Sequence, residues 1–154
     1  MDASDSLDLF TDIIQSPTDH RQYAMVELDN GLRCTLIHDS QAQQSTAALA
    51  VAAGHFQDPE DCQGLAHFLE HMLFLGTEDF PAATAYQDYI HQHGGNHNAW
   101  TGTEYSSYYF HCDADAFVGG LERFSRFFYQ PLFKQKWIAK EVQAVEAEYR
   151  LKRN

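Results

Sequence analysis

The run Gly64-Leu65-Ala66-His67-Phe68-Leu69-Glu70-His71-Met72-Leu73-Phe74-Leu75-Gly76 constrains this chain more than any other stretch. Its spacing predicts a short helix with two chemically different sides. At about 100° per residue, Leu65, Phe68, Leu69, Met72, Leu73 and Leu75 share one arc and form the expected core face. His67, Glu70 and His71 leave together on the opposite side, with the two imidazoles one turn apart at i and i+4. Two rings so placed can grip one tetrahedral ion. Glu70, roughly 60° beyond His67, lies within reach of a metal-held water without having to be a ligand. Residues of these types at this spacing point to a zinc site that carries its own general base. A catalytic zinc takes three protein ligands, so a third must come from elsewhere in the chain.

The last helix supplies the candidates. From Lys134 onward, Trp137, Ile138, Ala144, Val145, Tyr149 and Leu151 line one face, and Glu141 and Glu148, two turns apart, sit at its centre. Glu146 points the other way, as a solvated acid does. An acid in the middle of an apolar face is costly unless it is paired or bound to a metal. Ala144 between the two acids lets this helix approach the His67 helix closely. Spacing alone leaves open which of the two is the ligand.

Other segments read as scaffold. Leu7, Leu9, Phe10, Ile13 and Ile14 suggest a short amphipathic turn before Pro17. Tyr23–Leu28 and Leu32–His38 read as strands joined by Asp29-Asn30-Gly31, whose Asn-Gly pair favours a type I′ hairpin turn. Thr46–Ala53, small and apolar, reads as a central strand. Asp58-Pro59-Glu60-Asp61 reads as a helix start, and Cys62 would then fall on the apolar side of the metal helix. A further helix is expected from about Pro81 to Gly94-Gly95, followed by the short polar run 96–101. Next come an aromatic strand from Tyr105 to Cys112 and two helices, about 115–129 and 134 onward, split at Gln130-Pro131. The expected class is α+β: a mainly antiparallel sheet with helices packed against it and the metal site between two of them.

With these residues in place, the chain resembles the pitrilysin/insulinase family of zinc peptidases, the inverzincins. The resemblance rests on His67-Phe68-Leu69-Glu70-His71 inside Gly64-Leu65-Ala66-His-x-x-Glu-His-Met72. Glu148 follows after 76 residues, with Glu141 one heptad before it. It implies that His67, His71 and Glu148 bind one Zn2+ per chain, that Glu70 activates the attacking water, and that Glu141 supports the site from behind. Gly94-Gly95 and Asn98-Ala99-Trp100-Thr101 match the family's strand beside the cleft, where a substrate peptide adds as an extra strand. Asn98 and Ala99 are the implied substrate-binding positions. The implied activity is zinc-dependent endopeptidase action on unfolded peptides or oligopeptides. Residues 1–19 would be an extension and 20–154 an N-terminal catalytic domain, cut inside the helix that bears Glu148. Its partners would be peptide substrates and the remaining domains of a larger enzyme, which would supply the groups that stabilise the transition state. The isolated piece is then expected to be weakly active or inactive, and to self-associate through exposed surface. The competing reading is a catalytically silent binding or assembly module. Intact His67, Glu70, His71 and Glu148 argue against it. A purely structural zinc would leave Glu70 without a task.

Composition narrows the partners. The formal net charge is −12, spread as −16 over residues 1–120 and +4 over 121–154. So acidic a surface repels phosphate backbones and argues against nucleic acid. Three widely spaced cysteines without a Cys-x-x-Cys indicate neither a disulfide framework nor a thiolate zinc ribbon. No run reaches the ~18 apolar residues of a membrane span, and the acidic opening lacks a signal peptide's basic region. The cytoplasm is expected if Met1 is the native start, and the periplasm otherwise. His91 and His93 point apart on a helix and His97 lies beyond Gly94-Gly95, so solvent or hydrogen-bond roles are expected for all three. His20, His38, His55 and His111 stand isolated.

Overall fold

The computed structural model describes residues 13–153. Leu7, Leu9 and Phe10, on which the expected N-terminal turn rests, lie outside them. The chain divides into two compact units, Met1–Ala42 and Gln43–Asn154. In the first, β1 (Gln22–Glu27) pairs antiparallel with β2 (Arg33–His38), Tyr23 opposite Ile37 and Val26 opposite Cys34. Their connection is a three-residue loop instead of the two-residue type I′ turn. Gly31 N–H donates to Leu28 C=O (2.7 Å) and Leu28 N–H to Leu32 C=O (2.9 Å), while Gly31 takes the left-handed φ of 82°. The glycine therefore sits where a type I turn closes through a bulge, a position without penalty only for a residue lacking Cβ.

The second unit is built on an antiparallel sheet of order β3-β5-β4, with β3 Gln44–Val51, β4 Asn96–Thr101 and β5 Ser106–Asp113. Thr46–Ala53 was expected at the centre, but β3 is an edge and β5 is flanked on both sides. The central strand is the one that buries large alternate residues: Tyr108, Phe110 and Cys112 lie on its inner face with almost no exposure. Small residues allow close approach, yet Thr46, Ala48 and Ala50 of β3 remain exposed on the outer face.

Three helices close the inner face: α1 (Leu65–Leu73), α2 (Ala85–Gln92) and α3 (Phe117–Arg126). A fourth, α4 (Gln135–Arg153), packs against α1. The core is dominated by rings and branched side chains from every layer, among them Leu73, Tyr86, Ile90, Phe110, Phe124 and Phe127. Tyr86 meets five neighbouring rings at centroid distances of 4.7–6.5 Å. Aromatic edges and faces packed this way hold the sheet and helices in one register.

Several boundaries differ from expectation. The acidic turn at Asp58 does not itself begin a helix. Its carboxylate instead reaches forward six and eight residues, accepting from Gly64 N–H and Ala66 N–H at 2.8 Å each, and so caps α1 from a distance. Because α1 does not extend back to it, Cys62 is exposed, while Cys112 is buried. Helix α1 stops three residues before Gly76, and α2 begins four residues after Pro81. The apolar face of α1 is only partly used. Met72 and Leu73 are buried, whereas Leu65 and Leu69 keep 43% and 42% exposure. Leu69 borders an open apolar groove with Val51, Phe128 and Phe133. On α4, Tyr149 and Leu151 are exposed, because the inward stripe is Trp137, Ile138, Glu141, Ala144, Val145 and Glu148.

Candidate metal centre and cleft

The polar side of α1 does not face bulk water. It is covered by α4 on one side and β4 on the other, and Glu70 is only 9% exposed. The helical period places His67 and His71 on adjacent turns, and their Nε2 atoms lie 3.3 Å apart with the rings edge to face. Glu148 comes to them across the helix pair, with Oε2 3.4 Å from His67 Nε2 and Oε1 3.5 Å from His71 Nε2. The three ligand atoms thus converge, all within 4.8 Å of one another, and among the described residues this is the group of His, Cys, Asp and Glu side chains able to hold a metal ion.

The fit can be tested by size. A tetrahedron with metal–ligand bonds of about 2.0–2.1 Å has edges of roughly 3.3 Å, so separations of 3.3–3.5 Å suit one small ion shared by all three. Without an ion, two imidazole nitrogens at that spacing would set lone pair against lone pair or demand a shared proton.

Glu141 stands behind His71. Its Oε2 lies 3.2 Å from His71 Nδ1, the nitrogen remote from Glu148, and its side chain is 13% exposed. A carboxylate there accepts the Nδ1 proton and leaves the Nε2 lone pair for the cluster. Which of the two acids is the ligand, left open by spacing, has a geometric distinction: Glu148 reaches both histidines, and Glu141 reaches the back of one.

Glu70 lines the same cleft and reaches β4, where Thr101 Oγ1 donates to its Oε2 at 2.5 Å. Tyr108 lies close below, and burial, then the neighbouring Glu70 carboxylate, push its phenol up to about 12. The cleft, about 530 Å³, continues from the three ligand side chains past Glu70 along β4, lined by Asn98, Ala99 and Trp100, to His97, Phe74 and Gln87. Among the described residues β4 pairs only with β5, so its other edge is an open row of backbone donors and acceptors beside the cluster.

Sequence reasoning put Thr101 in the strand beside the cleft without giving it a role, and missed His55. Thr101 reads as an ordinary strand residue, and nothing in its spacing marks it. His55 seemed isolated, but the close approach of Gly54 to Gly102 and Thr103 brings it to the cleft. A Cβ on Gly54 would lie 2.4 Å from Gly102 O, and His55 N–H donates to that same oxygen at 3.0 Å. His55 Nδ1 lies 3.5 Å from Asp58. Burial works against the Asp58 charge, but the Ala66 and Gly64 N–H groups and His55 outweigh it and hold the carboxyl below its ordinary range. His97 also differs from expectation: it stacks on His91 at 5.7 Å and on Phe74 at 5.2 Å. His93 Nδ1 does take the expected hydrogen-bond role, with Tyr89 C=O at 2.7 Å.

The sequence and the fold are similar to those of known proteins. The profile of the insulinase family (peptidase family M16) matches residues 33–154. Human insulin-degrading enzyme is 42% identical over 137 residues, 89% of this chain and 13% of that protein. The A-factor-processing enzyme of Saccharomyces cerevisiae is also 42% identical over the same shares. The crystal structure of pitrilysin superimposes with a TM-score of 0.88 at 38% identity, over 94% of this chain and 16% of the other. The chain therefore spans about 13–16% of the length of these relatives. Among the described residues no helix is long and apolar enough to cross a membrane.

Proposed function

Because the chain belongs to the insulinase family of peptidases, we propose that it carries the catalytic centre of a zinc-dependent metalloendopeptidase acting on unfolded peptides or oligopeptides. The observation that carries this reading is the convergence of His67, His71 and Glu148 beside a separate buried carboxylate, Glu70. His67 and His71 Nε2 and one Glu148 oxygen would hold the ion, and Glu141 would orient His71 through Nδ1. Zinc, when bound, would polarise the scissile carbonyl and bring the pKa of a coordinated water to about 7.

On this reading each of the chain's own residues has a task. Glu70 takes the proton of the attacking water and later returns it to the leaving amine, so that the peptide bond is exchanged for a carboxylate and an amine. The open edge of β4 at Asn98 and Ala99 holds the substrate backbone in extended form, which fixes the carbonyl relative to Glu70. Charge on the carbonyl oxygen also needs donors, and we assign these to the remaining domains of a larger enzyme of which residues 20–154 form the N-terminal catalytic domain.

The test uses the full-length protein. Wild type should carry about one zinc per chain, strongly reduced by His71→Ala or Glu148→Gln. Glu70→Gln should keep the metal and lose most cleavage of an unstructured peptide, because it removes the base and no ligand. Equal zinc in wild type and both ligand variants, or a fully active Glu70→Gln, overturns the reading. The competing reading of a silent binding module predicts no turnover from wild type.

A further inference from the structure

Glu70 has two carboxylate oxygens, and a base acts well only if one of them is held facing the water it deprotonates. The oxygen Oε2 is already engaged, since Thr101 Oγ1 lies 2.5 Å away. Thr101 has a second hydroxyl neighbour, Ser106 Oγ at 3.5 Å. That longer contact does not compete for the proton. Ser106 Oγ, in a residue 4% exposed, spends its own proton on Ala53 C=O at 2.8 Å. The short contact to a charged acceptor is the stronger use of the Thr101 hydrogen.

The backbone enforces this direction. Thr101 ends β4 opposite Ser106, and strand alternation sends its side chain to the same face as Ala99, two residues earlier. A β-branched side chain in a paired strand has few χ1 choices, so the hydroxyl is aimed by the sheet and not by its own mobility. Glu70, nearly buried, has little room to seek another partner.

Resting on the assignment of Glu70 as the base, we propose that Thr101 is its positioning residue: the hydroxyl pins Oε2 and leaves Oε1 as the oxygen that meets the water. Because Thr101 and Ala99 belong to one strand, the segment proposed to hold the substrate backbone also holds the base. A shift of β4 would move both together, which keeps the carbonyl and the proton acceptor in one frame.

The experiment compares Thr101→Val, which keeps the branched shape and deletes the hydroxyl, with Thr101→Ser, which keeps the hydroxyl. Both are made in the full-length enzyme. Thr101→Val should lower kcat by about 10- to 100-fold, with KM changed less than about twofold, since misplacing a catalytic group acts on the transition state. Zinc content should stay at the wild-type level, and a crystal structure of the variant should show Glu70 turned from its wild-type rotamer. Thr101→Ser should recover kcat to within about fivefold of wild type. Wild-type kcat in Thr101→Val, equal losses in both variants, or a rise in KM at unchanged kcat each overturns the proposal. Glu70→Gln run alongside separates the two levels. If it is inactive while Thr101→Val is fully active, only the role of Thr101 fails; if it is active, the functional reading itself fails.

Discussion

Removing Glu141 isolates what a carboxylate behind a candidate ligand contributes, because it meets His71 at Nδ1, the nitrogen remote from Glu148. At 3.2 Å and 13% exposure, its oxygen is a poorly hydrated acceptor with one evident task, to take the Nδ1 proton and hold the ring. Deleting a partner of this kind behind a metal-ligating histidine weakens metal binding by about 10- to 100-fold, or roughly 1.4–2.8 kcal/mol at about 1.4 kcal/mol per decade. Glu141→Ala should fall in that range, leaving Nδ1–H to whatever water enters. In Glu141→Gln the amide oxygen can still accept the proton while the charge is lost, so the decrease should be at most about tenfold. His71→Ala and Glu148→Gln remove or weaken a ligand and should cost far more than either. The assay is zinc competition against a chelator of graded concentration on full-length protein at one pH, with dissociation constants expressed as ratios to wild type. Unchanged affinity in Glu141→Ala would refute the supporting role. Weaker binding in Glu141→Ala than in Glu148→Gln would exchange the two assignments.

Two other outcomes test the frame of the site. Asp58→Ala leaves the Gly64 and Ala66 N–H groups of a nine-residue helix without their acceptor, and Gly64 has no side chain to replace it. Chemical denaturation of metal-free protein should show a loss of about 1–2 kcal/mol, and a midpoint equal to wild type would mean that the cap is idle. Burial, reinforced by His91, holds His97 below its ordinary 6.5. The unfolded chain then binds the proton more readily, so stability is unaffected above about 6.5 and falls as pH drops below it toward the folded value. The thermal midpoint of metal-free protein should therefore decline between about pH 7 and pH 5, less steeply in His97→Gln; identical slopes would remove His97 from the account.

Much of the site was legible because its residues violate expectation locally. Two histidines one turn apart on the polar side of an apolar helix form a pattern that the helical period alone aligns, and two acids seven residues apart at the centre of an apolar face require a partner. Helical spacing, however, fixes directions around one axis and says nothing of what stands in each direction. Leu65 and Leu69 lie on the correct side of α1 yet keep two-fifths of their surface, while Leu73, one turn on, joins the core cluster with Tyr108 and Phe110 of the sheet. Asp58 signals a cap correctly but serves a helix that starts seven residues later, through a loop whose path local propensity does not specify. The role of Thr101 was illegible for the opposite reason: in a strand, threonine is the ordinary choice, and only the tertiary placement of Glu70 gives it a distinct contact.

The burial of Glu70 shows why the polar side of α1 could not be read as a solvent face. One stripe of the helix rests on the sheet, the histidines meet α4, and the glutamate meets β4, so the short helix is enclosed by elements that arrive much later in the chain. The contact between α1 and α4 includes the three candidate ligand atoms themselves, all within 4.8 Å of one another. Bringing two histidines and two carboxylates together in a partly buried seam is unfavourable for the apolar stripe of α4 and needs compensation. On the proposed reading, a divalent ion would supply it by replacing lone-pair repulsion and carboxylate desolvation with ligand bonds. The residues proposed to prepare the chemistry would then also tie α1 to a helix some seventy residues away, and metal affinity and the packing of α4 would be two expressions of one free energy.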